Sequence, residues 1–178
     1  IQQGDSVGLQ AFNDKMIRDL PPKTSPKHLF AIYETLSELK PSGKTDLIQT
    51  IHNLAGKIRR RALVVIFSDF FEDVDKMIDC IAHLLYKKHD VALFHIMDEA
   101  EMKFEMIRPV RFQDMEGGEN LIADPGSIRD QYLTQLNSYM TEFKDFYRNG
   151  SGKIKKKIIL KVSDFRSALI QGKFLAKK

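Results

Sequence analysis

The sequence has no tryptophan and a single cysteine among its 178 residues. One thiol, Cys80, excludes an internal disulfide, and that fits a reducing compartment. No apolar run approaches the ~20 residues of a membrane span. The opening residues, Ile1 to Asp5, have neither the basic start nor the apolar stretch of a signal peptide. With no initial Met, they read as the start of a trimmed or partial chain. No Gly-x-Ser-x-Gly elbow occurs, so a hydrolase triad has no nucleophile in its usual setting. Cys80 and His83 are three apart, but no second Cys/His pair follows at zinc-finger spacing, and both read as ordinary helix residues. His28, His52, His89 and His95 are scattered, and His95 reads as a satisfied core or edge residue.

What is present is ordinary for a globular protein: 43% hydrophobic and 29% charged residues. A disordered chain would lack the apolar residues that offset the entropy of folding. A chain of this size buries roughly 70% of its unfolded surface and folds without a disulfide or metal staple. The length suits one domain, residues 1–178, with a basic C-terminal segment. Residues 1–150 hold 19 basic and 23 acidic side chains; residues 151–178 hold 9 and 1. The alkaline pI of about 9.1 therefore comes from the tail. A basic segment suits nucleic acid or an anionic membrane. Here Ile158, Ile159, Leu160 and Val162 sit among the lysines, which reads as the solvated face of a packed strand and helix. No nucleic acid is expected.

Alternation at Val7, Leu9 and Ala11 predicts a strand over 6–12. A second short strand over 16–20 is expected to stop at Pro21-Pro22. Ser25-Pro26 opens a helix striped by Leu29, Ile32, Tyr33, Leu36 and Leu39. The next helix follows Thr45-Asp46, with Leu47, Ile48, Ile51, Leu54, Ala55 and Ile58 at the helical period. Leu63 to Phe67 is apolar throughout, as in a strand covered on both faces. With a helix over 73–88 and a strand over 91–97 it makes a βαβ unit, hence parallel strands. Phe104 to Ala123, with Gly117-Gly118 between, predicts a hairpin. Ser127 is expected to cap a helix to about Arg148, followed by a strand over 156–162 and a helix over 164–175. The fold class is α/β: a mainly parallel sheet with helices on both faces and a β-hairpin insertion around 104–123.

In an open parallel sheet, ligands gather at the C-terminal ends of the strands. Ser68-Asp69 follows strand 63–67 there, and a carboxylate at that edge is unlike a packing residue. Ser42-Gly43-Lys44-Thr45-Asp46 is a loop feeding a helix N-terminus, where backbone N–H groups and hydroxyls face an anion or a metal-bound ligand. It is not a phosphate loop: Glu38 stands where the leading Gly belongs, and the preceding element reads as a helix. Gly152-Lys153 fails the same pattern, with Tyr147 as the leading residue and Ile154 in place of the hydroxyl. Phe70-Phe71 reads either as an exposed contact pair or as a plug at the sheet edge.

Pro41 to Leu47 and Leu63 to Phe70 together resemble a bacterial family, the domain of unknown function 58 family, whose members carry a von Willebrand factor A-like domain. Gly4 to Leu9 with Phe12, the Leu20-Pro21-Pro22 stop and the hairpin after strand 91–97 also resemble it. The resemblance covers most of the chain, with the last 28 residues matching loosely. It implies a von Willebrand factor A-like (Rossmann-like) fold, a non-enzymatic protein-interaction role and a partner, the MoxR-type AAA+ ATPase, whose gene neighbours those of the family. It also implies Mg²⁺ at the sheet edge, held by an Asp-x-Ser-x-Ser loop, a Thr and an Asp, with an open position for a partner carboxylate. By position Thr45 matches that Thr and Asp69 that Asp. Ser42, Gly43, Ser68 and Phe70 fall to partner binding.

No Asp-x-Ser-x-Ser occurs in this chain, which starts at the end of the expected first helix. The metal set is therefore incomplete. The central strand between 6–12 and 63–67 is missing too, which leaves strand edges open to a second copy. A shortened chain, a degenerate member and a sheet completed by a second copy all fit. The localisation implied is cytoplasmic, or membrane-associated through a region outside these residues. The alternative function is a phosphate- or nucleotide-handling α/β enzyme using Asp69 and the Gly43–Thr45 loop.

Overall fold

The computed structural model describes residues 4–40, 43–106, 108–113, 120–149 and 154–161. The chain forms two compact units, residues 1–50 with 113–119, and residues 51–112 with 120–178. The helix expected over 164–175 lies outside the described residues.

The first unit is built on a hairpin. Strands β1 (Val7–Phe12) and β2 (Met16–Lys23) pair antiparallel. β2 runs through Pro21 and Pro22, where a stop was expected. The two prolines lie opposite the single residue Gly8, where the pairing is irregular, and proline is tolerated at such a bulge. The register shifts between Val7 and Leu9. Gly8 sits at that shift, and a Cβ there would lie 2.9 Å from the Leu20 carbonyl oxygen and 3.1 Å from the Pro22 nitrogen. The close approach of the two backbones requires glycine. The pairing also shows that strand 6–12 belongs to this ribbon and not to the parallel sheet.

Helix α1 (Pro26–Glu38) begins as predicted, with Ser25 at the N-cap and Pro26 at the first position. Its inward side differs from the predicted stripe. His28 and Ile32, one turn apart, are buried, while Tyr33 and Leu36 are exposed. His28 is drawn inward by a 2.9 Å hydrogen bond between its Nε2 and the Val7 carbonyl oxygen. Helix α2 (Leu47–Lys57) starts in the first unit and continues into the second. Its predicted stripe holds: Leu47, Ile51 and Ala55 are buried.

The second unit carries a three-stranded parallel sheet, in the order β3 (Leu63–Ser68), β4 (Asp90–Met97), β7 (Ile154–Lys161). Helix α3 (Val74–Tyr86) links β3 to β4, so the predicted βαβ unit is present. Between β4 and β7 come a short helix α4 (Glu99–Lys103), a ribbon of β5 (Val110–Gln113) with β6 (Asn120–Ala123), and the long helix α5 (Pro125–Asn149). The ribbon is the expected hairpin insertion. The capping box that starts α4, Asp98 with Glu101, is legible as Asp-x-x-Glu. α5 starts at Pro125, ahead of the predicted cap. Ser127 lies inside its first turn and donates its hydroxyl to the Asp124 carbonyl at 2.8 Å.

Both crossovers step across the sheet in the same direction. The right-handed rule then puts α3 and α5 on one face, and the two helices touch. Val64, Ile66, Val91, Leu93, His95 and Met97 point into this core. Helices on both faces were expected. Among the described residues the β3 part of the other face is exposed, with Leu63, Val65 and Phe67 between 42% and 58% exposed, while Ala92 of β4 beside them is buried. β3 is also the edge strand. The described architecture is thus mixed α/β with a small parallel sheet and two ribbons. No helix among the described residues is long and apolar enough to cross a membrane.

Candidate functional site

The C-terminal end of β3 turns sharply into α3. Ser68 Oγ accepts from the Phe70 N–H at 3.0 Å and donates to Asp69 Oδ1 at 3.3 Å, and the same carboxylate oxygen accepts from the Phe71 N–H at 3.4 Å. The Glu72 N–H then donates to the Phe70 carbonyl at 2.7 Å. Asp73 closes the segment as N-cap of α3, accepting from the Lys76 N–H at 3.0 Å. Each polar residue in this run of Ser and Asp bonds local backbone, as such residues do in turns.

Phe70 takes φ 50°, in the left-handed region. A bulky residue there is strained, and the surrounding structure must hold it. It does so from three sides. The ring is fully buried, edge-on to His95 (centroids 5.6 Å, 88°) and 5.5 Å from Phe143. The Tyr139 hydroxyl of α5 donates to its carbonyl oxygen. Tyr139 itself stacks on Phe143 at 5.8 Å. Burial, reinforced by the negative charges of Asp69 and Glu72, pushes the Tyr139 phenol up to about 12, so it stays a donor at any physiological pH.

The neighbours of Phe70 face the other way. The Asp69 carboxylate is exposed and the Phe71 ring is 94% exposed. Of the two phenylalanines, Phe70 is the plug and Phe71 the exposed ring. Pattern alone did not separate them, because both lie outside any periodic element.

The loop residues belong to the first unit. Gly43 (φ 74°) lies beside the hairpin turn, where an added Cβ would be 3.3 Å from Asn13 Nδ2. The Asp46 N–H donates to the Asn13 carbonyl at 3.1 Å. Asp46 Oδ1 accepts from the Gln49 N–H at 2.9 Å, so this carboxylate caps α2. Gly43 and Thr45 are exposed. Ser42 lies outside the described residues. Thr45 is therefore in one unit and Ser68, Asp69 and Phe70 are in the other.

Chemically, the α2 N-terminus already holds a negative group, Asp46, where a phosphate would have to bind. The hydroxyls of Ser68 and Thr45 and the Asp69 carboxylate are hard oxygens of the kind Mg²⁺ takes. Among the described residues no group of three or more His, Cys, Asp or Glu is placed to hold a metal. A Mg²⁺ at Asp69 would rest on one carboxylate, the Ser68 hydroxyl beside it and water.

An uncharacterized protein of Mycobacterium bovis and one of Mycobacterium tuberculosis are each 26% identical to the chain over 134 residues. The match covers 72% of this chain and 41% of each relative, so the chain spans about two fifths of their length. No solved structure matches. The family model described as "Protein of unknown function DUF58" matches residues 1–141, and the chain belongs to that family.

Proposed function

We infer that this chain is a non-enzymatic protein-interaction domain that meets its partner at the turn following β3, with Asp69 and Phe71 as the contact groups. The supporting observation is the opposite fate of adjacent residues: Phe70 is locked into the core in a left-handed conformation, while Asp69 and Phe71 are held out beside it. A strained turn tied down by its neighbours is pre-organised, and pre-organisation lowers the entropy cost of binding. Aromatic rings are favoured anchors at interfaces.

The finer form of the reading follows the von Willebrand factor A-like resemblance. Asp69 is a ligand of Mg²⁺, the ion's open position takes a carboxylate of the partner, and the partner is a MoxR-type AAA+ ATPase; Thr45, which the resemblance matches to a second ligand, lies in the other unit. Ser68 supports the turn, and Ser42 and Gly43 fall to partner binding in that reading. The phosphate-enzyme alternative is disfavoured by the Asp46 carboxylate at the α2 N-terminus.

The test is titration of a purified MoxR-type ATPase against the chain, Asp69→Ala and Phe71→Ala, each with and without Mg²⁺. Binding that weakens at least about tenfold in both variants, with unchanged thermal midpoints, is expected for hot-spot residues. Affinity indifferent to both substitutions removes this turn as the contact. A Mg²⁺ thermal-shift titration separates the finer claim: a site at a hundredfold excess over Kd adds about 2.7 kcal/mol. That gain is expected in the parent and absent in Asp69→Ala.

A further inference from the structure

A second group of polar side chains lies in the second unit on different elements. His52 on α2 and His83 on α3 point their Nδ1 atoms at each other, 3.1 Å apart. Both rings are partly exposed. Their centroids are 5.3 Å apart with planes tilted by 40°, which is neither an offset stack nor an edge-to-face pair. Ring packing does not account for the arrangement; the convergence of the two nitrogens does.

We propose that His52 and His83 form a two-nitrogen chelate for a divalent transition ion of the Zn²⁺, Ni²⁺ or Cu²⁺ class. Two imidazole nitrogens at about 2.0–2.1 Å from a tetrahedral ion sit about 3.3 Å apart, so the observed gap opens by only a few tenths of an ångström. Imidazole suits these ions, whereas Mg²⁺ prefers oxygen. As ligands both rings carry their remaining proton on Nε2, so the ion replaces the Nδ1-to-Nδ1 hydrogen bond without leaving a ring nitrogen unused. Water fills the other positions, since no third His, Cys, Asp or Glu joins the pair among the described residues. Cys80, one turn before His83, is not a ligand: its thiol is buried and donates to the Met77 carbonyl at 3.2 Å, and burial pushes it up to about 12. Chelation would clamp the second half of α2 onto α3. Because ligand nitrogens compete with protons, affinity rises with pH.

The pair is separate from Asp69, and its test is independent of the proposed interaction site. The full 178-residue chain is titrated in excess Mg²⁺ with Zn²⁺ and Ni²⁺ by calorimetry and with Co²⁺ by visible absorption, alongside His52→Gln, His83→Gln and Cys80→Ser. One saturable ion per chain is expected. Each His variant should weaken it more than about tenfold, in keeping with the usual cost of disturbing a metal site. Cys80→Ser should leave it unchanged. If a His variant does not fold, line broadening of the parent's imidazole resonances by Ni²⁺ decides instead, and it must reach His52 and His83 first. No binding up to millimolar metal, binding that survives both His substitutions, or broadening that begins at other histidines overturns the proposal.

Discussion

The Tyr139 hydroxyl donates to the Phe70 carbonyl oxygen, joining residues 69 apart in the chain. This contact ties the middle of α5 to the turn that ends β3. It compensates the carbonyl of a residue held in a left-handed conformation and buried from water. Tyr139→Phe keeps the ring stack and removes only the donor. A loss of about 1 kcal/mol is expected, the usual net value of one hydrogen bond. Amide exchange at Phe71 and Glu72 should accelerate with it. Equal denaturant midpoints and equal exchange in parent and variant would contradict a supporting role for Tyr139.

Gly8 lies at a close backbone approach in the β1–β2 ribbon. Its added Cβ would meet the Leu20 carbonyl and the Pro22 nitrogen, which are main-chain atoms that cannot swing aside. Gly8→Ala should cost about 1–3 kcal/mol, as overpacking does. Nuclear Overhauser contacts between β1 and β2 should show the strands parted or the register moved. An intact register and unaltered stability would mean that the ribbon absorbs the methyl group.

Lys88 occupies the left-handed position just past α3. The His89 N–H reaches the Leu84 carbonyl at 3.1 Å and the Lys88 N–H reaches Leu85 at 2.9 Å, the two bonds of a Schellman cap. Glycine is the natural occupant of that position. Lys88→Gly should therefore stabilise the protein by about 1 kcal/mol, the left-handed penalty of a side chain. A lower thermal midpoint in the variant would show that the lysine side chain contributes more than its backbone costs.

His89 supplies a pH dependence. The Ala62 N–H donates to its Nδ1 at 3.3 Å, which places the proton of the neutral ring on Nε2. Burial, aided by Lys87, holds its pKa below the ordinary 6.5. Below about 6.5 the unfolded chain takes up a proton that the folded chain refuses, so stability falls with falling pH until the folded value is passed. Above that window the effect vanishes. Urea unfolding at pH 7.5 and 5.5 should show a larger loss in the parent than in His89→Asn, whose amide oxygen can still accept from Ala62. Identical losses would assign the pH dependence to other groups.

Much of this was legible beforehand. The βαβ unit, the α2 stripe and the hairpin insertion follow from local pattern: a five-residue apolar run, a 3.6 period, paired glycines. α4 was missed although its Asp98–Glu101 box is a local signal, because five residues carry no period. The Phe70–Phe71 distinction was not legible, since it depends on His95, Tyr139 and Phe143, which are remote in sequence. The same holds for His52 and His83, which are 31 residues apart and were read as unrelated.

The sequence by itself determined where most strands and helices begin and end. Caps, turns and periodicity are interactions within a few residues, and they act whatever the rest of the chain does. It did not determine how elements are shared out. Strand 6–12 joined β2 in a ribbon because pairing with an adjacent strand costs less chain entropy than reaching a distant one. The apolar run of β3 reads as buried on both faces, yet Leu63, Val65 and Phe67 are exposed, because burial is decided by which helices cross over and on which side. The exposure of Asp69 and Phe71, and the meeting of His52 with His83, were decided at the same level. Each depends on long-range packing, which local sequence does not encode residue by residue.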